Sequence, residues 1–209
     1  MGYYADFLSR PKQAMAYAKE HPSALRALTF VLLGTFAGLV VSLVLTGVIY
    51  WTFLFESLVI DLVRWLVAGI LLVLAGMVIA RGTFSRDSFV RALSMLAHVN
   101  VYGFFLFLIG GLLLPIVVIP DIVSAAPLLE NGVIGEAEFE AIILSSLSNL
   151  ENLSPLFFPL ILICLLFLAY AIYAYFLAVY QFLNTTVFKA LVVMGVIILV
   201  QSFGLFLVS

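Results

Sequence analysis

The fold of this chain is decided by the stretch PLFFPLILICLLFLAYAIYAYFLAVYQFL, residues 155–183, which contains no charged side chain. A helix rises about 1.5 Å per residue, so a stretch of this length exceeds what a hydrocarbon core about 30 Å thick requires. The whole chain of 209 residues is 66% hydrophobic and only 10% charged. The stretch therefore predicts a transmembrane helix, and the composition predicts an integral membrane protein without a separate soluble domain.

Four further stretches resemble this one in length and apolar character. They lie at residues 25–50, 58–80, 92–119 and 187–208. The expected fold is therefore all-α, a polytopic bundle of five transmembrane helices at residues 25–209, preceded by an amphipathic cytoplasmic segment at residues 1–24.

The charged residues divide between the two sides of these five spans. Eight of the nine Lys and Arg lie on one side: Arg10, Lys12, Lys19, Arg26, Arg81, Arg86, Arg91 and Lys189. Most acids lie on the other side: Glu56, Asp61, Asp121, Glu130, Glu136, Glu138, Glu140 and Glu151. Because cytoplasmic loops are enriched in Lys and Arg, Arg81, Arg86, Arg91 and Lys189 set a topology with the N-terminus inside and the C-terminus outside. The exception, Arg64, stands three residues after Asp61 at the expected mouth of the second span, where the two can pair.

Two segments outside the spans are predicted to be amphipathic helices. The first begins at Pro11 and ends at His21-Pro22, with one apolar face: Phe7, Leu8, Pro11, Ala14, Met15 and Ala18. It suits an interfacial helix that seats the first span, or a helix that binds a partner. The second lies in the third loop, on the outer side, within residues 120–154, and is about 15 residues long. We expect it to cap the bundle.

Small residues recur at every fourth position of the first span, at Gly34, Gly38, Ser42 and Thr46. Small side chains let helix backbones approach closely in a membrane. We expect this stripe to be buried against another helix, either inside the monomer or in a homodimer, and a larger side chain at Gly38 to destabilise the bundle.

A cluster of polar residues is predicted near the inner ends of the third and fourth spans: His98, Asn100, Tyr102, Gln181 and Asn184. Imidazole and amide groups in hydrocarbon seek partners. We expect His98 or Asn100 to hydrogen-bond to Gln181 or Asn184 and so tie the two spans together. The alternative is a ligand or ion site.

Motifs of enzymes and metal sites are absent from the sequence. His21 and His98 are far apart, and neither has a carboxylate three or four residues away. There is no nucleophile elbow, phosphate-binding loop or dinucleotide-binding glycine pattern. We therefore expect a protein that is not an enzyme, with no catalytic, cofactor-binding or metal-binding residues, no cofactor and no nucleic-acid partner.

Several short motifs, in order, resemble the Yip family of five-span membrane proteins, known in eukaryotes as interactors of Rab GTPases. They are Phe7-Leu8-Ser9-Arg10-Pro11, then Arg81-Gly82-Thr83-Phe84 with Phe89, Arg91 and Ala92, and finally Phe188-Lys189-Ala190-Leu191. The family often has Tyr and Pro where this chain has His98 and Asn100, and its eukaryotic members have a longer cytoplasmic tail. The resemblance therefore implies a compact prokaryotic-type member in the plasma membrane and does not favour Rab binding.

The function implied by this resemblance is that of a membrane scaffold or adaptor that organises the lipid bilayer or recruits a membrane-protein partner. One alternative is a small-molecule or ion transporter or channel that uses the polar residues of spans three and four. Another is a subunit of a larger complex.

The predicted topology can be tested by labelling single cysteines after Cys164 has been replaced. Cysteines in the 120–154 loop should react with an impermeant reagent on intact cells, because the acidic side faces outward. Cysteines at positions 83 to 88 should react only after permeabilisation. The reverse pattern would contradict the topology.

Overall fold

The structure, a computed structural model, describes residues 10–46, 51–79, 81, 83, 85–113, 124–125, 127–129, 131–148, 155 and 157–206. Every regular element in this part of the chain is helical. The predictions made for Phe7, Leu8, the side chain of Thr46 and the span ends at 47–50 and 114–119 lie outside the described residues.

The helices follow one another along the chain as α1 (Pro11–Glu20), α2 (Ala24–Thr46), α3 (Trp51–Ile79), α4 (Arg86–Ala97), α5 (Asn100–Leu108), α6 (Glu136–Ser148), α7 (Phe157–Leu183) and α8 (Val187–Phe206). A π-helical turn, Ile109–Leu113, continues α5. Helices α4 and α5 and this turn together form the third span.

Four helical segments are long and apolar enough to cross a membrane: Ala24–Val44, Leu54–Ile79, Arg86–Leu113 and Phe157–Leu183. This confirms the expectation of an all-helical membrane protein. The apolar part of the last helix, Val187–Ser202, is shorter. Length and composition thus establish four candidate spans, and the fifth rests on other arguments given below.

Local signals in the sequence account for where several helices begin and end. Pro11 occupies the first turn of α1, where its missing N–H costs nothing. The Ser23 hydroxyl accepts a hydrogen bond from the Arg26 N–H at 3.3 Å and caps α2. Asn184 has φ of 47°, a left-handed conformation that Asn tolerates well, and it ends α7.

The third span lies at the centre of the bundle. Its α4 and α5 parts pack against α2 and α7, α4 also packs against α3, and α8 packs against α3 and α7. The larger buried cluster includes Leu72, Met95, Tyr102, Ala178 and Ile197, which are at most 1% exposed, and α2 contributes Ala27, Phe30 and Val31 to a second buried cluster. The helix ends that carry Arg26, Arg86, Arg91 and Lys189 lie together, and we call them the basic end.

Helix α1 packs onto the bundle at the basic end, against α4 and α7. Its Met15 and Ala18 are fully buried in the central core, and Ala14 packs with Phe30 and Val31 of α2. This part of the apolar face, which the sequence assigned to lipid or a partner, is thus covered by the bundle itself. The polar side of α1 remains outward.

The second predicted amphipathic helix corresponds to α6. Within the described part of the chain, α6 makes no substantial contact with the spanning helices. Phe139, Ile142 and Ile143 are nevertheless only partly exposed. The expected cap over the bundle is therefore not formed by the residues that the structure describes.

The close helix contacts lie in α3 rather than in the predicted stripe of α2. A Cβ atom at Gly69 would come within 2.4 Å of Leu93 Cδ2, and one at Gly76 within 3.2 Å of the Phe182 ring. A Cβ atom at Gly38 would meet nothing within 4 Å. Within the monomer, Gly38 is therefore not in a tight helix contact, and its burial in a homodimer stays a prediction.

We expect Gly69→Leu to destabilise the bundle by about 1–3 kcal/mol, since the buried Leu93 leaves no room for a larger residue. Gly38→Leu is the matched control, the same substitution in a spanning helix with open space, and should change the stability little. Thermal unfolding in nanodiscs compares the two. Equal losses at both positions would contradict this account of the packing.

Candidate functional site: a polar cavity at the centre of the bundle

A partly open cavity of about 270 Å³ lies between the helices of the bundle, and every spanning helix and α8 contribute to its wall. Most of its lining is apolar, but five polar side chains also face it. These are Asp61, Arg64, Asn100, Tyr175 and Gln201. Such a mixture of apolar wall and a few polar groups is typical of sites that bind small molecules.

The ion pair of the cavity lies on α3, which begins earlier in the chain than the sequence predicted. Residues 51–57 were expected to form a connection, but they are the first two turns of α3. Counted from Leu54, where the apolar segment begins, Arg64 is ten residues along, or about 15 Å. That distance is about half of the hydrocarbon thickness. Asp61 and Arg64 therefore lie within the apolar segment of α3, seven and ten residues after Leu54, while Ile79 at its other end lies about 22 Å beyond Arg64.

Neighbouring helices shape the surroundings of this pair. Arg64 Nη1 lies 3.7 Å from Asp61 Oδ1, and both side chains are a little over a third exposed. A Cβ atom at Gly34 would lie 3.8 Å from Asp61 Oδ2, so the glycine gives the carboxylate room against α2. Gln201 Nε2 donates a hydrogen bond to the Arg64 backbone carbonyl at 3.0 Å and ties α8 to α3.

The hydroxyl of Tyr175 is buried and has no hydrogen-bond partner among the described residues. Tyr175 belongs to the wall of the cavity. A buried polar group without a partner costs about 1–3 kcal/mol, so most such groups in proteins are bonded to protein or to an ordered molecule. The cavity thus offers an unused polar group to whatever occupies it.

The third span is irregular where it passes the cavity. At His98 and Val99 the backbone hydrogen bonds change to a tighter pattern: the Val99 N–H donates to the Leu96 carbonyl and the Tyr102 N–H donates to the Val99 carbonyl, both at 3.1 Å. Leu96, Val99 and Asn100 all line the cavity. Irregular backbone at membrane depth is tolerated where protein covers it or where it lines a water-filled space.

The structure does not bring the five residues of the predicted polar cluster together. Asn100 lines the central cavity, whereas Gln181 and Asn184 line a different cavity at the basic end. His98 is fully buried, its Nδ1–H donates to the Ser94 carbonyl, and its ring centre lies 4.6 Å from that of Phe30.

Tyr102, the remaining member of that cluster, is also fully buried, and its ring centre lies 6.0 Å from that of Tyr170 on α7. It therefore packs the third span against the fourth span without meeting Gln181 or Asn184. The cluster is thus divided among the core, the central cavity and the basic end.

The predicted hydrogen bond between His98 or Asn100 and Gln181 or Asn184 is therefore wrong. Gln181 Nε2 donates instead to the Lys12 carbonyl at 3.1 Å, and Lys19 Nζ donates to the Gln181 carbonyl at 2.5 Å. Helix α1 folds back over the end of α7 and supplies nearer partners than the third span does. Asn184 has the backbone role of ending α7.

Sequence reasoning missed Asp61, Arg64, Tyr175 and Gln201 as site residues. The signal that could have found the charged pair is the apolar run Trp51, Phe53, Leu54 and Phe55, which lengthens the second span toward its N-terminus and moves the pair inward. Tyr175 and Gln201 carry no such signal, since each is one polar residue in a long apolar helix.

No family model matches the chain, and no curated protein and no solved structure is significantly similar to it. The resemblance to the Yip family thus rests on the sequence motifs alone. Among the described residues there is also no group of three or more His, Cys, Asp or Glu placed to hold a metal ion.

The location of the ion pair can be tested by a double-mutant cycle. If the pair is embedded in the membrane, Asp61→Asn alone leaves an uncompensated guanidinium and should cost about 1–3 kcal/mol of stability in nanodiscs, somewhat less than fully buried pairs lose. The double variant Asp61→Asn, Arg64→Gln should recover most of that loss. Single-variant losses near zero, as for a solvent-exposed pair, would place Asp61 and Arg64 at the aqueous mouth instead.

Proposed function

We propose that this protein is a small membrane protein of the transporter or channel class, which binds a small polar solute or an ion in the central cavity. The observation that carries this proposal is the Asp61–Arg64 pair lining a cavity between helices that are apolar and long enough to cross a membrane. Ionisable residues inside spans are expensive, and they mark ligand and ion pathways more often than they serve packing alone.

The chemistry of the cavity fits a small ligand that carries both hydrogen-bond donors and hydrogen-bond acceptors. The carboxylate of Asp61 accepts hydrogen bonds, the guanidinium of Arg64 donates them, and the Tyr175 hydroxyl does both. The opposite charges cancel, so the cavity does not repel either sign strongly. Its volume of about 270 Å³ is at the lower end of ligand sites, which favours a small zwitterion, a small neutral polar molecule or a hydrated ion.

The irregular third span supports the same proposal. Many transporters bind their substrates where a spanning helix is interrupted, because the interruption exposes backbone groups to the ligand and lets the two halves move. Here the interruption at His98 and Val99 is next to cavity residues Leu96 and Asn100. The pairing of a charged couple with a locally tightened spanning helix favours a transporter over a purely structural bundle.

A five-span topology with the N-terminus in the cytoplasm and the C-terminus outside belongs to this proposal. Helix α8 has 20 residues, enough for about 30 Å, and Ala190, Val193 and Ile197 are buried in the core along about 10 Å of it. The eight-to-one division of Lys and Arg supports the orientation. Location in the plasma membrane follows from the resemblance to compact Yip-type proteins.

The scaffold or adaptor role implied by that resemblance stays a prediction, and so does the homodimer or partner protein that it would require. The transporter and scaffold functions predict different results for one double variant. Removing the charges of Asp61 and Arg64 together should abolish solute or ion movement, but should leave the recruitment of a partner at the membrane surface intact.

The proposal requires water in the cavity, which cysteine reactivity can measure. In a Cys164→Ser background in liposomes, Asn100→Cys should react with a charged methanethiosulfonate reagent, since thiolates form only where water reaches. Val63→Cys, on the same helix as the ion pair but 52% exposed on the outer surface of the bundle, is the control and should stay unreactive in lipid. An unreactive cysteine at position 100 would contradict a ligand-accessible cavity.

Uptake by proteoliposomes tests movement across the membrane. With Na⁺, K⁺ and glycine as probes, the wild type should take up at least one of them faster than protein-free liposomes do. The double variant Asp61→Asn, Arg64→Gln should lose that uptake while it remains folded. Uptake that is unchanged in this variant would contradict a role for the pair.

A further inference from the structure

A second cavity, of about 410 Å³, lies at the basic end between α1, α4 and α7. It is separate from the central cavity, and the two share no lining residue. Its polar lining comes from three helices and includes Lys19, Glu20, Arg91, Gln181 and Asn184. The proposed solute pathway does not use these side chains.

Arg91 has the most unusual environment in this cavity. It stands in the first half of α4, it is partly buried, and its Nε atom is buried with no hydrogen-bond partner among the described residues. A guanidinium carries five N–H donors and keeps its charge at any accessible pH. Because an unpaired buried donor is costly, the position calls for an acceptor that the described part of the chain does not supply.

The rest of the cavity is built firmly enough to hold such an acceptor. Lys19 Nζ donates one hydrogen bond to the Gln181 carbonyl, which positions the ammonium and leaves it further donors. Gln181 is itself held by its bond to the Lys12 carbonyl. The two cations face one carboxylate, that of Glu20, so the charged lining has a net charge of +1.

The depth of the cavity points to the level of lipid headgroups. Arg91 lies five residues after Arg86, where α4 begins, and Gln181 lies two residues before Leu183, where α7 ends. At about 1.5 Å per residue both are within about 8 Å of the ends of their helices. Basic pockets at this level between transmembrane helices bind the headgroups of anionic lipids.

We propose that this cavity binds a phosphate group through Arg91 and Lys19, and that its position favours the headgroup of an anionic phospholipid over soluble phosphate. Arginine matches the oxygens of a phosphate with two parallel N–H bonds, and an ammonium adds a point charge. The exposed Asn184 amide at the rim supplies a further donor. Glu20 opposes a second negative charge, which suits a phosphate carrying about one.

The test is native mass spectrometry of the full chain in mild detergent with added phosphatidylglycerol or phosphatidylcholine. The wild type should retain phosphatidylglycerol in preference to phosphatidylcholine. Arg91→Gln should weaken that retention about tenfold or more, as the loss of a charge-assisted hydrogen bond does. Arg86→Gln is the matched control, because Arg86 lies on the same helix with the same charge but is exposed and does not line the cavity.

A second variant and a second ligand keep the test decisive. Lys19→Gln, on α1 and outside the spans, should also weaken retention. It serves as the test variant if Arg91→Gln fails to fold. Inorganic phosphate at millimolar concentration, measured by thermal shift in neutral detergent, separates the two sources. Stabilisation by phosphate without a preference for the anionic lipid would support the phosphate site but overturn the lipid as its ligand. Equal lipid retention by wild type, Arg91→Gln and Lys19→Gln would overturn the proposal.

Discussion

The lack of water in the hydrocarbon of a bilayer is the constraint on which the rest of this structure depends. A polar group there must find its partner within the protein, which is why all spanning segments are helices and why most charges stand at their ends. Two polar side chains that enter the bundle bond across helices: Trp65 Nε1–H donates to the Leu93 carbonyl at 2.9 Å, and Gln201 donates to the Arg64 carbonyl. These bonds fix α3 against its neighbours at the depth where Asp61 and Arg64 lie.

Close packing and open space alternate along α3, and this alternation creates the central cavity. At Gly69 and Gly76 the helix lies against Leu93 of α4 and Phe182 of α7, with no room for a Cβ atom in an undisturbed packing. On the other side of Trp65 the same helix carries the charged pair, and there the bundle does not close. The third span lines this opening where its hydrogen bonding tightens at His98 and Val99. The cavity therefore lies where the close contacts at Gly69 and Gly76 end and the charged pair begins.

The sequence predicted the spans well and the site poorly, for reasons that differ. Apolar length is a local property, so four candidate spans, the start of α1 at Pro11 and the cap at Ser23 could be read directly. The depth of Asp61 depended on a boundary seven residues away, and the partner of Gln181 lies 169 residues away at Lys12. Neither is fixed by periodicity. Gly38 shows a further limit, because a small residue permits close contact but does not require it.

Helix α1 connects the two cavities physically. Its Lys19 lines the cavity at the basic end, and its Ala14 belongs to the same buried cluster as Val31, a residue of the central cavity wall. Lys19 and Arg91 can contact one phosphate only when α1 is docked on α4 and α7. A bound phosphate would therefore stabilise the docked arrangement by mass action. A form of the central cavity that requires α1 to be docked beside Val31 would then be favoured too. An anionic headgroup at the basic end and a solute in the centre are thus expected to influence each other's binding in both directions, since linkage is reciprocal.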